Sequence, residues 1–312
     1  MPRTISFAIG AGVLSALFFA LVLTSAPEAF LITPFSMLPL LLIGMSGTAT
    51  TTALSAIAGI VVFGLISGGI GWAALYAATE AVPAYGLSRL ALRRRPDANG
   101  RLHYTSAGTL YTVATLYAAA FVIVLHLAFF EADSGFFATL QAIIQAGLGA
   151  TIGRGAAPAE VQQLAAEIAM GVPGALAGWW LVILLGNLAI TQALLTRWKS
   201  MQRPPLWLSR MTLPRWLAGL TLAALLYFFI APSDAGFLGK TFAVILFLPC
   251  FFVGLVCIHY LCRGWPPGPF VLAGVYLILF IVLWPTLIAA TILGIAEQWI
   301  RLRERLGGPQ PV

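Results

Sequence analysis

Long apolar stretches alternate with short charged connections along this chain, and that alternation constrains its fold more than any other feature. The apolar runs follow one another from Ile5 to about Ile300, and charged residues lie almost only between them. A membrane-spanning helix needs about 20 predominantly apolar residues. Because lipid offers no hydrogen bonds to the backbone, such spans must be helices or closed barrels. Runs of this length predict an all-α polytopic membrane helix bundle.

The composition agrees with a membrane protein and argues against nucleic-acid binding. Sixty per cent of the residues are hydrophobic and 9% are charged, whereas a soluble domain carries about 25% charged residues. The net charge of +7 is confined to short connections, where it sets orientation and attracts anionic lipid headgroups. We therefore expect the lipid bilayer, with anionic lipids at the basic loops, as a partner, and no nucleic acid.

The order of the charges predicts which connections share a side. One set carries twelve basic residues: Arg3, Arg89, Arg93, Arg94, Arg95, Arg101, Arg197, Lys199, Arg203, Arg210, Arg215 and Arg263. The other set carries two basic residues, Arg154 and Lys240, and six acids: Glu28, Glu131, Asp133, Glu160, Glu167 and Asp234. Basic connections stay on the cytoplasmic face. The pattern predicts a bacterial inner (cytoplasmic) membrane protein with a cytoplasmic N-terminus and a retained first span.

The apolar pattern predicts about nine spans and a division into three regions. The spans are 5–24, 30–46, 49–67, 72–92, 108–130, 173–196, 216–232, 241–262 and 268–300. The regions are a six-helix membrane domain (1–196) with an outer loop (131–172), a basic cytoplasmic loop (197–215), and C-terminal membrane helices with a basic tail (216–312). Within the outer loop we expect a re-entrant or interfacial helix over 136–153 and a separate short helix that begins at Pro158.

Prolines make two of these spans irregular. Pro34 and Pro39 predict that the second span is kinked or short, because proline lacks the backbone N–H. The stretch 268–300 has two interpretations. A single Pro-kinked helix leaves Arg301, Arg303 and Arg305 outside, against the charge rule, whereas two crossings that turn at Trp284-Pro285 keep them inside but leave arms of about 16 residues. We favour the single helix.

Small residues recur at four-residue spacing on the first helix, at Ala8, Gly12, Ala16 and Ala20. Small residues at this spacing let a second helix approach closely. The stripe has two interpretations, internal packing or the docking of a separate membrane protein partner, and its spacing does not separate them.

Strongly polar groups inside spans are expensive and usually functional. Glu80 lies within the fourth span and Asn187 in the middle of the sixth, with Trp180 nearer the outer end of the sixth. With Glu28 and the 131–172 loop, they are our candidate ligand-binding residues. Glu80 would bind a cation or a hydrogen-bond donor, Trp180 would stack on a ring, and Asn187 would fix orientation.

Catalytic and metal-binding signatures are missing from the sequence. There is no HExxH, GxSxG or Walker A motif, and Cys250, Cys257 and Cys262 lack CxxC spacing. We expect neither an enzyme, nor a metal site, nor a cofactor.

Three features carry a family resemblance. They are the small-residue first helix, Leu213-Pro214-Arg215-Trp216 followed by Phe252–His259 in the eighth span, and the closing stretch Gly294–Arg303. The chain resembles the YybS-like bacterial integral membrane proteins, a family of unknown function that is distantly similar to the S components of energy-coupling-factor transporters. S components have six helices with both ends cytoplasmic, dock a coupling subunit through small residues on the first helix, and bind vitamins or metal ions from outside. The spans after residue 215 depart from that pattern.

Two functions remain open at this point. The first is a small-molecule binding or transport subunit with an outward-opening pocket within the first six spans, as the resemblance implies. The alternative is a non-transporting membrane scaffold or assembly factor that acts through helix–helix and basic-loop contacts.

Overall fold

The computed structural model describes residues 2–24, 26–96, 100–128, 135–152, 158–206, 211–231, 233–263 and 265–306. Parts of the two predicted loops, residues 131–134, 153–157 and 207–210, lie outside the described residues, as do residues 129–130 at the end of the predicted fifth span. The chain forms two compact units. Unit 1 contains residues 1–110 and 182–207, and unit 2 contains residues 111–181 and 208–312.

Several helices are suited to a membrane. Six in the described ranges are long and apolar enough to cross one: Thr4–Leu23, Pro27–Ser46, Ala49–Ser67, Ala107–Ala128, Pro158–Arg197 and Phe237–Cys262. Shorter apolar helices cover Phe136–Ala150, Arg215–Ile230, Gly268–Ile281 and Pro285–Ile300. The predicted class of a multi-pass helical bundle agrees with these helices, and the count of nine spans stays a prediction.

Unit 1 is built from short and long helices. They are α1 (Pro2–Ala20), α2 (Pro27–Ile32), α3 (Met37–Ser46), α4 (Ala49–Ser67), α5 (Ile70–Tyr76), α6 (Val82–Leu92) and the C-terminal part of α9 (Pro158–Arg197). A 3-10 turn, Thr33–Phe35, separates α2 from α3. The predicted break in the second span is therefore confirmed at Pro34, whereas Pro39 lies within α3.

The fourth predicted span is also interrupted. A π-helical turn, Ala77–Ala81, separates α5 from α6, with Pro83 just beyond it. Because Pro83 supplies no N–H to the preceding turn, the helix accommodates an extra residue at this point. Single π turns inside α-helices are frequent at functional sites.

The small-residue stripe on α1 lies inside unit 1. Ala8 and Ala16 are fully buried and Gly12 is buried, while Ala20 is partly exposed. A methyl group on Gly12 would overlap the carbonyl oxygen of Ser55 in α4. The stripe therefore lets α1 and α4 approach closely, and a separate partner would reach Gly12 only by displacing α4. Docking of a partner at this helix stays a prediction.

Unit 2 contains most of α7 (Ala107–Ala128), α8 (Gly135–Ile152) and the first part of α9. It continues through α10 (Arg215–Ile230), α11 (Ser233–Cys262), α12 (Gly268–Ile281), α13 (Leu283–Ile300) and α14 (Leu302–Leu306). The prediction of a separate short helix after Pro158 is wrong, because α9 runs unbroken through Pro173. Pro173 and Gly174 are buried, and neighbouring helices let membrane helices tolerate an internal proline.

The stretch 268–300 is not one long helix. It divides at Val282 into α12 and α13. Pro285 lies in the first turn of α13, where the backbone N–H has no helical partner in any case. Proline therefore begins the second helix instead of kinking a single one.

Contacts between α11 and α13 show that the chain reverses within this stretch. Gly254 packs against Gly294, and three residues further along both helices Cys257 Sγ lies 3.8 Å from Glu297 Oε2. Since the contacts advance in the same direction in both helices, α11 and α13 run parallel. The intervening α12 must return the chain, so the favoured single-helix prediction is wrong.

The reversal places the end of α13 beside the end of α11, and cysteine labelling tests that placement. We expect Arg263→Cys and Arg305→Cys to react with a membrane-impermeant maleimide from one side of the membrane, and Leu283→Cys, in an exposed position, from the other. The native cysteines are buried, which keeps the background low. Labelling of positions 263 and 305 from opposite sides would contradict the arrangement.

Candidate functional site

Glu80 lies on the π turn and is buried, with 6% of its surface exposed. Ser36, which is also buried, donates a hydrogen bond from Oγ to Glu80 Oε2 at 2.9 Å. Among the described residues, no Lys, Arg or His forms an ion pair with Glu80. A buried carboxyl group with one neutral donor is costly in a membrane protein. The position is therefore a candidate for binding.

Asn187, on α9, reaches the 3-10 turn that contains Pro34 and precedes Ser36. Its Nδ2 donates to the carbonyl oxygens of Pro34, at 2.7 Å, and Ile183, at 2.9 Å. Both oxygens only accept, so the amide nitrogen must face them. The Oδ1 atom is then buried without a partner in the described part of the chain. We call Pro34, Ser36, Glu80 and Asn187 the Pro34-turn site.

The Pro34-turn site joins two irregular helices. The carbonyl of Pro34 lies in the 3-10 turn between α2 and α3, and Glu80 lies in the π turn between α5 and α6. Regular helices satisfy their own backbone groups, whereas interrupted ones free groups for side chains or ligands. In membrane transporters, binding sites form at such interruptions.

Tyr76 flanks Glu80 one turn earlier on the same helix. Its hydroxyl lies 2.7 Å from Ser15 Oγ, and its ring packs with Phe19 and Phe63 at centroid distances of 5.3 and 5.4 Å. Sequence reasoning missed Ser15, Ser36 and Tyr76. The four-residue spacing from Tyr76 to Glu80 is the sequence signal that could have pointed to Tyr76. Only the fold brings Ser15 to Tyr76 and Ser36 to Glu80.

Unit 1 holds further buried polar atoms that lack a hydrogen-bond partner within the described residues. They are Ser55 Oγ, Ser88 Oγ and Thr191 Oγ1. Buried polar atoms in folded proteins nearly always have a protein or water partner. With Asn187 Oδ1, they leave unit 1 with hydrogen-bonding capacity for solvent or a polar ligand.

Two of the four predicted ligand-binding residues are not part of this site. Glu28 is exposed in the first turn of α2, where a carboxylate interacts favourably with the helix dipole. Trp180 belongs to unit 2, where its ring centroid lies 6.0 Å from that of Tyr117. Roles for these two residues in ligand binding stay predictions.

Glu297 provides a contrast with Glu80. It is equally buried, but Arg303 Nε donates to its Oε1 at 2.8 Å, and the backbone N–H of Arg303 donates to its Oε2 at 3.3 Å. Arg303 Nη2 also donates to the carbonyl of Met211 at 3.0 Å. Glu297 is thus satisfied by its own unit, and its pairing holds the segment after α13 in place.

Comparison with protein-family models, with curated proteins and with solved structures finds no match to this chain.

Proposed function

We propose that this multi-pass membrane protein is a small-molecule binding or transport subunit whose ligand occupies the Pro34-turn site. The observation that carries the proposal is Glu80, a buried carboxyl group hydrogen-bonded to Ser36 with no cationic partner in the described part of the chain. Ionisable groups in such positions usually mark a substrate or ion pathway.

The chemistry of the site defines the class of ligand. A carboxyl group accepts hydrogen bonds and attracts cations, and the free Oδ1 of Asn187 accepts hydrogen bonds. A matching ligand carries a cationic or hydrogen-bond-donating group for Glu80 and a second donor for Asn187. We propose a small amine-bearing or polyhydroxylated solute.

Replacement of Glu80 by glutamine tests the proposal. The change keeps the shape of the side chain and removes its ability to ionise against a cationic ligand, so the fold should persist while ligand occupancy falls by about tenfold or more, the value of one hydrogen bond between charged groups. The measurement is native mass spectrometry of the gently purified protein, which detects retained small molecules together with partner subunits.

Glu304→Gln is the matched control, because it makes the same change in α14 of unit 2, outside every candidate ligand-binding residue. We expect it to retain the ligand at the wild-type level. Equal ligand occupancy in wild-type protein and in the Glu80→Gln variant would remove Glu80 from the site.

One observation favours the alternative of a scaffold or assembly factor. Glu80 and Glu297 are the buried acids of the described chain, and Glu297 is ion-paired, whereas proton-coupled carriers use relays of such groups. A stoichiometric protein partner without any small molecule, in the same mass spectra, would support this alternative.

A further inference from the structure

A small basic hairpin follows α6 and precedes α7. Strands β1 (Arg94–Pro96) and β2 (Leu102–Tyr104) pair antiparallel, with Arg95 opposite His103. A two-stranded hairpin is marginally stable by itself in water. Something else in unit 1 must hold it in place.

Residues 202–203 anchor the hairpin. Tyr104 Oη donates to the carbonyl of Gln202 at 2.9 Å, and the guanidinium groups of Arg94 and Arg203 lie 4.9 and 5.3 Å from the centre of the Tyr104 ring. Cation–π contacts at these distances are attractive. The tyrosine ring therefore contacts one arginine of the hairpin and one arginine outside it.

Arg203 ties this cluster to the end of α6. It is buried, and its Nη1 donates to the carbonyl of Ala91 at 2.7 Å, at the negative end of the helix dipole. Burial lowers the pKa of Arg203 from its ordinary value, yet a guanidinium starts so high that it stays charged. The hairpin is thus anchored to the end of α6, next to the positive charge of Arg203.

A cavity of about 360 Å³ lies under the hairpin, a size within the range of small-ligand sites. Arg95, His103 and Tyr104 line it from the strands, and Leu90, Thr105 and Thr109 line it from the helical side. Thr105 Oγ1 donates to the carbonyl of Leu90 at 2.7 Å, which joins the two sides. The lining combines a guanidinium, an imidazole and hydroxyl groups with apolar surface.

The charge of the connection and the position of the cavity together indicate which class of ligand fits it. The connection carries Arg93, Arg94, Arg95 and Arg101, and its one acid, Asp97, lies outside the described residues. A guanidinium fork matches phosphate geometry. The cavity also lies where the chain leaves α6 and enters the apolar helix α7, the level at which a bilayer presents its headgroups.

We propose that this cavity binds the phosphate headgroup of an anionic membrane phospholipid. Arg95 pairs with the phosphate, the hydroxyl of Thr109 supplies a neutral hydrogen bond, and Leu90 contacts the apolar part of the lipid next to the headgroup. The apolar lining and the position at the ends of two helices favour a lipid over a soluble phosphate. This site is separate from the Pro34-turn site and does not depend on the function proposed for it.

Native mass spectrometry of the full-length protein in detergent tests the site, with phosphatidylglycerol as the probe. We expect Arg95→Gln to weaken phosphatidylglycerol binding by about tenfold, the loss of one charge-assisted hydrogen bond. Arg93→Gln is the matched control, since it removes the same charge from an exposed position that does not line the cavity. We expect it to change the affinity by less than about twofold, because Arg93 does not line the cavity and its attraction for the headgroup is screened by salt.

If Arg95→Gln fails to fold, a second variant still tests the site. Thr109→Leu narrows the cavity without changing the charge, and it should also weaken phosphatidylglycerol binding. Equal losses in Arg95→Gln and Arg93→Gln would overturn the site in favour of general surface attraction. So would equal affinity for phosphatidylcholine of the same chain length.

Competition with inorganic phosphate distinguishes a lipid headgroup from free phosphate as the ligand of the cavity. If phosphate at millimolar concentration displaces phosphatidylglycerol, the cavity is a soluble-phosphate site and the lipid assignment is overturned. Glu80→Gln should leave phosphatidylglycerol binding unchanged, and Arg95→Gln should leave the ligand of the Pro34-turn site in place, so failure of either proposal is seen separately.

Discussion

The variant Gly294→Ala is expected to destabilise unit 2 by about 3 kcal/mol, the upper part of the range for overpacking. A methyl group at this position would overlap the carbonyl oxygen of Cys250, and Gly254 faces Ala290 in the same way. These obstacles are backbone atoms, which no side-chain rotation can move aside, so α11 and α13 must separate. The measurement is the midpoint of thermal unfolding of the purified protein in detergent.

Gly274→Ala in α12 is the control for this prediction. No atom lies within 4 Å of a methyl group at Gly274, and the substitution should raise stability slightly, by up to about 1 kcal/mol, through helix propensity. If Gly294→Ala unfolds at the same temperature as Gly274→Ala, the close crossing of α11 and α13 is incorrect.

The variant Glu297→Met is expected to cost about 3–5 kcal/mol, because it removes the carboxylate that pairs with the buried charge of Arg303. The side chains of Glu297 and Arg303 are 6% and 10% exposed, so water cannot fully replace the lost partner. The segment after α13 should also loosen, since Arg303 bonds the carbonyl of Met211. Thermal unfolding and limited proteolysis of the C-terminal segment measure the two effects.

The double variant Glu297→Met/Arg303→Met distinguishes an unpaired charge from lost packing. Replacement of a whole buried ion pair by apolar side chains is often nearly neutral, so we expect the double variant to be more stable than Glu297→Met alone. A double variant whose loss equals the sum of the two single losses would show that the pair is not coupled.

The contrast between the two buried acids explains why only one of them is a candidate for binding. Arg303 neutralises Glu297 within unit 2, and that pairing has a structural effect that stability measurements detect. Glu80 receives one hydrogen bond from Ser36, and its free capacity is the property that a ligand would use. The two acids should therefore respond differently to substitution, Glu297 in stability and Glu80 in ligand occupancy.

Local rules let the sequence anticipate part of the Pro34-turn site. Glu80 and Asn187 were predicted because strongly polar groups within apolar runs are rare, and Pro34 predicted the break in the second span. Ser36 and Tyr76 were not predicted, since a serine or tyrosine in an apolar helix is ordinary. Their importance comes from contacts with Glu80 and Ser15, which join residues 44 and 61 positions apart.

The sequence by itself determined the class of this protein, because apolar runs of about 20 residues leave a chain few alternatives to membrane-spanning helices. It also determined the proline break at Pro34, since a missing N–H acts locally. Only the tertiary structure decided that Pro285 begins a helix, that α13 returns parallel to α11, and that the Gly12 stripe packs on α4. Those outcomes depend on which surfaces meet, and helix-packing surfaces in a membrane protein are alike in composition, so periodicity could not choose between them.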